Sequence, residues 1–168
     1  MPKMISKTTY WWVTDPTYNP DAPSAALLTT AANISGAIVE GSKCGPVKSD
    51  VDNSAAITDT SHVETPTFYN YTATLSFFRE GDLANTTSDF YKAWQFFKAG
   101  TQNGLQVGFL VKRVGYVYTA AAALGQAVSS YKFIPDNPKD VDDGTAPVKF
   151  DVTFQKQGKM SLFVALAA

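Results

Sequence analysis

The residues able to do chemistry in this chain are few and poorly placed for it. His62 is the single histidine and lies in a polar stretch. Serines and aspartates surround it, yet no strand-turn-helix nucleophile pattern accompanies it. Cys44, in "SKCGP", is the single cysteine; it has one lysine beside it and no histidine near it in sequence. A reactive thiolate needs a cationic or helix-terminal setting that lowers its pKa, so an ordinary packed or turn cysteine is the simpler reading. One Cys and one His do not make a zinc site without further ligands. "DVDDG" at 140–144 resembles part of a calcium loop but lacks the later ligands and the closing glutamate, which leaves a solvated turn. "GTQNG" carries no phosphate-loop lysine, and no strand-linked GxGxxG occurs. These absences predict a protein with no catalytic residues, no metal and no cofactor.

The elements that would hold any site are mostly strands. In "TFYNYTATLSFFR" (67–79), Tyr69, Tyr71, Ala73, Leu75 and Phe77 alternate with polar residues, the period of a half-buried strand. An exposed aromatic strand could stack nucleic-acid bases, but only Arg79 supplies charge, so a buried sheet face is the better reading. The 87–99 stretch, "TSDFYKAWQFFKA", places Phe90, Ala93, Trp94 and Phe97 at helical spacing, with Thr86 or Thr87 as cap and Gly100 as stop. Further strands are predicted at 104–114 (Leu105, Val107, Phe109 and Val111 alternating) and at 128–134. "VKFDVTFQ" turns Val148, Phe150, Val152 and Phe154 inward and Lys149, Asp151, Thr153 and Gln155 outward. "KQGK" reads as a hairpin turn before "MSLFVALA", a last strand apolar on both faces. The predicted core is Tyr71, Leu75, Phe77, Phe90, Trp94, Phe97, Val107, Phe109, Phe150, Val152 and Phe154. Residues 25–39 are ambiguous between a short helix and strands, with Ile34–Val39 the better strand. Residues 40–64 read as a long polar loop with at most a short strand at Ala55–Thr58.

The opening segment "TTYWWVTDPTYNPDAPS" is harder to place. Tyr10, Trp11, Trp12, Val13 and Tyr18 precede or lie among Pro16, Pro20 and Pro23, and two of the three tryptophans are spent here. The prolines forbid a helix. We expect residues 1–23 to be an extended arm and 24–168 a single domain. Arm rings would then be exposed in the free chain and buried by a neighbouring copy, joined by Met160, Leu162 and Val164 of the last strand. On that view, deleting residues 1–20 leaves a folded domain, Trp11→Ala leaves stability unchanged, and Trp94→Ala unfolds it.

Composition bounds the rest. The chain has 168 residues, net charge −1, 45% hydrophobic and 17% charged residues. The charge fraction lies below the roughly 25% of an average soluble domain, which suits a surface covered by partners. No basic run favours tight nucleic-acid binding. No stretch reaches the ~18 apolar residues of a membrane helix, and no apolar signal core follows the first lysines. We expect synthesis in a cytoplasm and no membrane insertion. The sequons at Asn33, Asn70 and Asn85 carry no meaning without a secretory route.

Several of these stretches together resemble the major tail tube proteins of long-tailed bacteriophages, the siphoviruses. "YWWV", the spaced prolines through "DAPS", and "LLTTAANIS" are similar to that family's opening. "YTATLSFFRE", "GD", a helix and "GTQNGLQVGFLVKRVG" are similar to its middle, with Lys112, Arg113 and Gly115 at the basic end of a strand. "QAVSSYKFIPDNPKD" and the last strands complete the likeness, whereas "YTAAAALGQ" departs from the family's compact turn. The resemblance implies a β-sandwich flanked by one amphipathic helix and a homo-oligomer of hexameric rings stacked into a hollow tube. It further implies a lumen, commonly acidic, through which DNA passes, and partners among tail proteins: tape measure, tail terminator and distal tail protein. The alternative is a stand-alone β-sandwich that binds carbohydrate or serves adhesion, with Trp11 and Trp12 stacking on a sugar.

Overall fold

A computed structural model describes residues 7–52, 64–102, 106–141, 144 and 147–168. The fold is mainly β, an antiparallel, sandwich-like arrangement with two α-helices. In chain order the elements are β1 (Thr8–Val13), α1 (Ala25–Thr30), β2 (Ala32–Asn33), a 3-10 turn (Ser35–Ala37), β3 (Lys43–Asp52), β4 (Thr65–Phe78), α2 (Asp89–Gln102), β5 (Gly108–Val114), β6 (Ala127–Pro135), β7 (Lys139–Val141) and β8 (Lys149–Ala165). The strand order is β2-β1-β5-β6-β8-β4-β3, with β7 also on β8.

One strand joins the two layers. The first part of β8 pairs β4 and β7, and the second part pairs β6. The predicted turn at "KQGK" is therefore corrected: these residues form a bulge inside a single 17-residue strand. Tyr131 stands opposite Met160 and Phe133 opposite Lys156, so the β8 side carries extra residues there. Gly158, at φ 73°, supplies the left-handed turn. The N–H groups of Gln157 and Lys159 donate to Tyr71 Oη at 3.1 and 3.2 Å, and that hydroxyl donates to Lys132 O at 2.7 Å. Tyr71 thus satisfies backbone groups that the bulge removes from the ladder.

Two cores result. The larger lies between the layers and includes Tyr71, Leu75, Phe77, Phe97, Leu110, Phe133, Phe150, Val152 and Phe154. Most of its rings meet edge-on or tilted, as in Phe97–Phe154 (5.7 Å, 88°) and Phe133–Phe154 (5.5 Å, 62°), while Phe77 stacks on Phe150 (5.1 Å, 18°). The amphipathic α2 closes it with buried Ala93 and Phe97, while Phe90 and Trp94 pack at its margin half-buried. The cap of α2 is Ser88, whose Oγ accepts from Tyr91 N at 3.1 Å, rather than Thr86 or Thr87. The helix also continues past Gly100. The smaller core lies on the outer face of the β1-β5-β6 layer and joins Trp11, Val13, Tyr18, Leu28, Val111, Val128 and Leu166.

Three further expectations change. Residues 43–52 form β3 rather than loop, paired with β4 from Lys43↔Thr74 to Asp52↔Thr65; Ala55–Thr58 lies outside the described residues. Ile34–Val39 is no strand: a 3-10 turn occupies it, and Ile38 makes a lone bridge to Phe77. Val107 precedes β5 and is 45% exposed, so it is not a core residue. Phe109, half-buried, faces the smaller core beside Val111, because alternation sends Leu110 to the other side.

Candidate assembly surface

The potential reactive groups do not converge. Cys44 is buried in β3, and burial pushes its thiol up to about 12 despite Lys112 nearby. Lys112 Nζ instead donates to the Cys44 carbonyl at 2.9 Å. A thiol with this pKa stays protonated at pH 8, so labelling of the native chain by a thiol reagent should proceed only at the rate of unfolding. Stoichiometric labelling within minutes would contradict this burial. Asp140 pairs with Arg79 at 2.7 Å, and among the described residues no group of metal-ligating side chains occurs. His62 lies outside the described residues.

The N-terminal aromatics are not an arm. Residues 8–13 form β1, inside the sheet between β2 and β5, in register from Thr8↔Val114 to Val13↔Phe109. Tyr10, Trp11, Trp12 and Val13 are all buried by their own chain. Alternation sends Tyr10 and Trp12 into the larger core and Trp11 and Val13 into the smaller one. Pro16, Pro20 and Pro23 follow the strand and shape the turns after it, so they never interrupt it. Tyr18 returns over the outer face; its ring meets Phe109 at 5.2 Å and its hydroxyl shares a hydrogen bond with Ser130 Oγ at 2.7 Å. The expected interface of Tyr10, Trp11, Trp12, Val13 and Tyr18 is thus domain interior. Of the three residues expected from the last strand, Met160 packs on the larger core, Val164 is half-buried, and Leu162 is 39% exposed.

One buried cation went unnoticed in the sequence as an organiser. Arg113, at the end of β5, is 0% exposed. Its Nη1 donates to Ala121 O (3.0 Å) and Gln126 Oε1 (2.8 Å). Its Nη2 donates to Thr9 Oγ1 (3.2 Å), Val117 O (3.3 Å) and Ala120 O (2.8 Å). The guanidinium also lies over the Trp11 and Tyr116 rings, at 4.8 and 5.0 Å. Burial pulls its pKa below the ordinary value, while Tyr116 acts in the other direction. The planar fork gathers the carbonyls of the alanine-rich β5–β6 loop and fixes a segment that has little side-chain chemistry of its own. That loop displays exposed Tyr116, Val117, Tyr118 and Leu124.

The exposed apolar residues fall on projecting features. The first half of β4 pairs only β3, forming a two-stranded ribbon beyond the β8 contact at Thr74–Phe78. Phe68 (70%), Tyr69 (76%) and Val47 are exposed on it. Tyr69 follows the alternation that suggested burial, but the sandwich ends before reaching it. At the ribbon's base, Asp50, Phe68, Tyr69, Asn70, Lys156 and Gly158 line an open groove. The outer edge of β3 forms one border of the sheet. Its backbone groups, interrupted by Pro46, are those of an edge available for pairing.

Comparison with known proteins gives one family. No curated protein matches the chain. The sequence profile described as "Phage tail tube protein" matches residues 4–168, nearly the whole chain. With the sandwich, its helix and its apolar projections, this coverage assigns the molecule: the chain belongs to the phage tail tube protein family and is a structural tail protein.

Proposed function

We propose that the chain is the repeating subunit of the tail tube of a long-tailed phage. Copies close into rings, six by the resemblance, and the rings stack around a lumen that conducts the genome into the host cell. The observation that carries this reading is the family match across residues 4–168. The ribbon supports it. A single subunit leaves the β3 edge and the Phe68–Tyr69 projection uncovered, and both suit a neighbouring copy. Tape-measure, terminator and distal tail proteins are the proposed partners at the tube ends, and the assembled virion tail is the proposed location.

Size-exclusion chromatography and negative-stain microscopy of the purified chain test this directly, with rings or tubes expected. A strict monomer at every concentration would count against it. Replacing Phe68 and Tyr69 together by serine should leave the melting temperature within about 2 °C, because exposed substitutions change stability little. The same change should block tube growth. Normal tubes from that variant would remove the ribbon from the interface. The alternative reading, a glycan-binding module, relied on exposed Trp11 and Trp12, and both are buried.

A further inference from the structure

We infer that Phe163 is a knob that seats in a hollow on helix α2 of a second copy of this chain. The inference rests on the tube reading and names one of its contacts. Phe163 is the only non-glycine residue with positive φ among the described residues, at 53°. It sits at a second bulge in β8, where Ser130 stands opposite Ser161 and Val128 opposite Val164. That position ordinarily favours glycine or asparagine, since a Cβ is strained in the left-handed region. The chain nevertheless keeps a phenyl ring there, 77% exposed, the most exposed large hydrophobic residue described. The bulge is held: Phe163 N donates to the buried Ser129 Oγ at 3.2 Å. Strain retained under an exposed ring does nothing for the isolated subunit, which points to a use outside it. Exposed Leu162 flanks the ring in sequence.

The complementary feature lies on the outer face of α2. Thr86, Tyr91, Lys92, Gln95 and Phe96 line a shallow hollow that is open to solvent. Its lining is mostly apolar, and Phe96 in it is 47% exposed, so a second aromatic ring has a face to pack against. Knob and hollow cannot meet within one chain. The inner face of α2 covers the first part of β8, with Trp94 on Phe150 at 5.1 Å and Phe97 on Phe154 at 5.7 Å. From there to the bulge, β6 runs six steps alongside β8, from Pro135 to Ser129, a distance of roughly 20 Å.

A knob near one end and a hollow near the other make a head-to-tail contact. Such a contact propagates into a ring or filament, whereas a self-complementary one stops at a dimer. The area argues the same way. One phenylalanine buries on the order of 150–250 Å², against about 800 Å² per partner in a stable pair. The contact cannot hold two free subunits together, and it becomes effective only beside other contacts in a polymer.

Two measurements test the inference. Phe163→Asn relieves the backbone and removes the ring, so the melting temperature should rise by about 2–4 °C. The concentration needed for tube formation should rise roughly tenfold or more, the fold-change expected from losing one buried ring. Phe163→Tyr, which keeps the ring, should assemble like the parent chain. Second, a benzophenone analogue of phenylalanine at position 163 should photo-cross-link within tubes to a peptide containing residues 86–96 of another subunit. Normal tubes with no such cross-link, or normal assembly of Phe163→Asn, would overturn the contact and leave the tube reading standing. Failure of the unmodified chain to form rings or tubes would overturn both.

Discussion

Trp12→Ala is expected to cost the isolated chain about 3–5 kcal/mol, the range for truncating a large buried aromatic. Against a typical total of about 5–15 kcal/mol, that loss leaves a marginal fold or none. The indole touches both layers and the helix. Its ring lies 6.1 Å from Phe97 and 5.9 Å from Phe154, while its backbone pairs Ala32 on one side and Leu110 on the other. Its seat is made to measure: a Cβ added at Gly108 would come within 2.6 Å of Trp12 Cζ2. Deleting residues 1–20 should be more severe, because it removes β1 from the interior of a layer and uncovers both cores. Circular dichroism through a urea titration checks both variants. A truncated chain with a cooperative transition at the parent midpoint would show that β1 is dispensable and would restore the arm.

Arg113→Met should lower stability by about 3 kcal/mol, or about 6–12 °C in melting temperature. Methionine keeps much of the aliphatic packing but none of the five hydrogen bonds donated by the guanidinium. Hydrogen bonds from a charged group contribute roughly 1.5–3 kcal/mol each. Their sum is not lost, because the freed carbonyls of the loop can find water. Arg113→Lys should recover little, since an ammonium cannot present a planar fork to two sets of acceptors. The loss should appear together with faster hydrogen exchange in residues 116–126. A melting temperature within about 2 °C of the parent chain would mean that the loop holds itself.

How much of this was legible follows the physics of each segment. The second half of β4 and the helix α2 could be read because each buries one face, and one buried face imprints its period on the sequence. Buried Leu75, Phe77 and Phe97, and half-buried Trp94, lie where that period put them. β1 was misread because it buries both faces. Four apolar residues in a row, Tyr10 to Val13, have no alternation to display, and the nearby prolines seemed decisive although Pro16, Pro20 and Pro23 all lie beyond the strand. The run itself was the available signal, since consecutive apolar residues bounded by turns describe a strand covered on both sides. β3 failed for the opposite reason: most of the ribbon strand buries neither face, so it resembles a loop. The bulge at Gly158 and a hairpin turn share one sequence signature, and only the pairing of β6 with β8 on both sides of the bulge separates them. The aromatic richness of the N-terminus correctly signalled a large apolar area. What single-sequence reasoning could not supply was the owner of that area, because the partner strand β5 lies about a hundred residues away. The surface sites were less legible still, as Phe163 is conspicuous only through its backbone angle.

The pairing of Thr8 with Val114 sets a timetable for folding. At roughly 5–20 residues per second of synthesis, β1 waits several seconds on the ribosome before its partner exists. Its four apolar residues pass that interval without the cover they have in the native fold. β8 is made after every other strand and supplies the ladder that joins the two layers. A nascent subunit therefore has a late commitment step. Until β8 inserts, the two layers are not joined and the Phe163 bulge does not exist. On the tube reading proposed above, a chain still being synthesised lacks the Phe163 bulge and therefore the contact inferred for it.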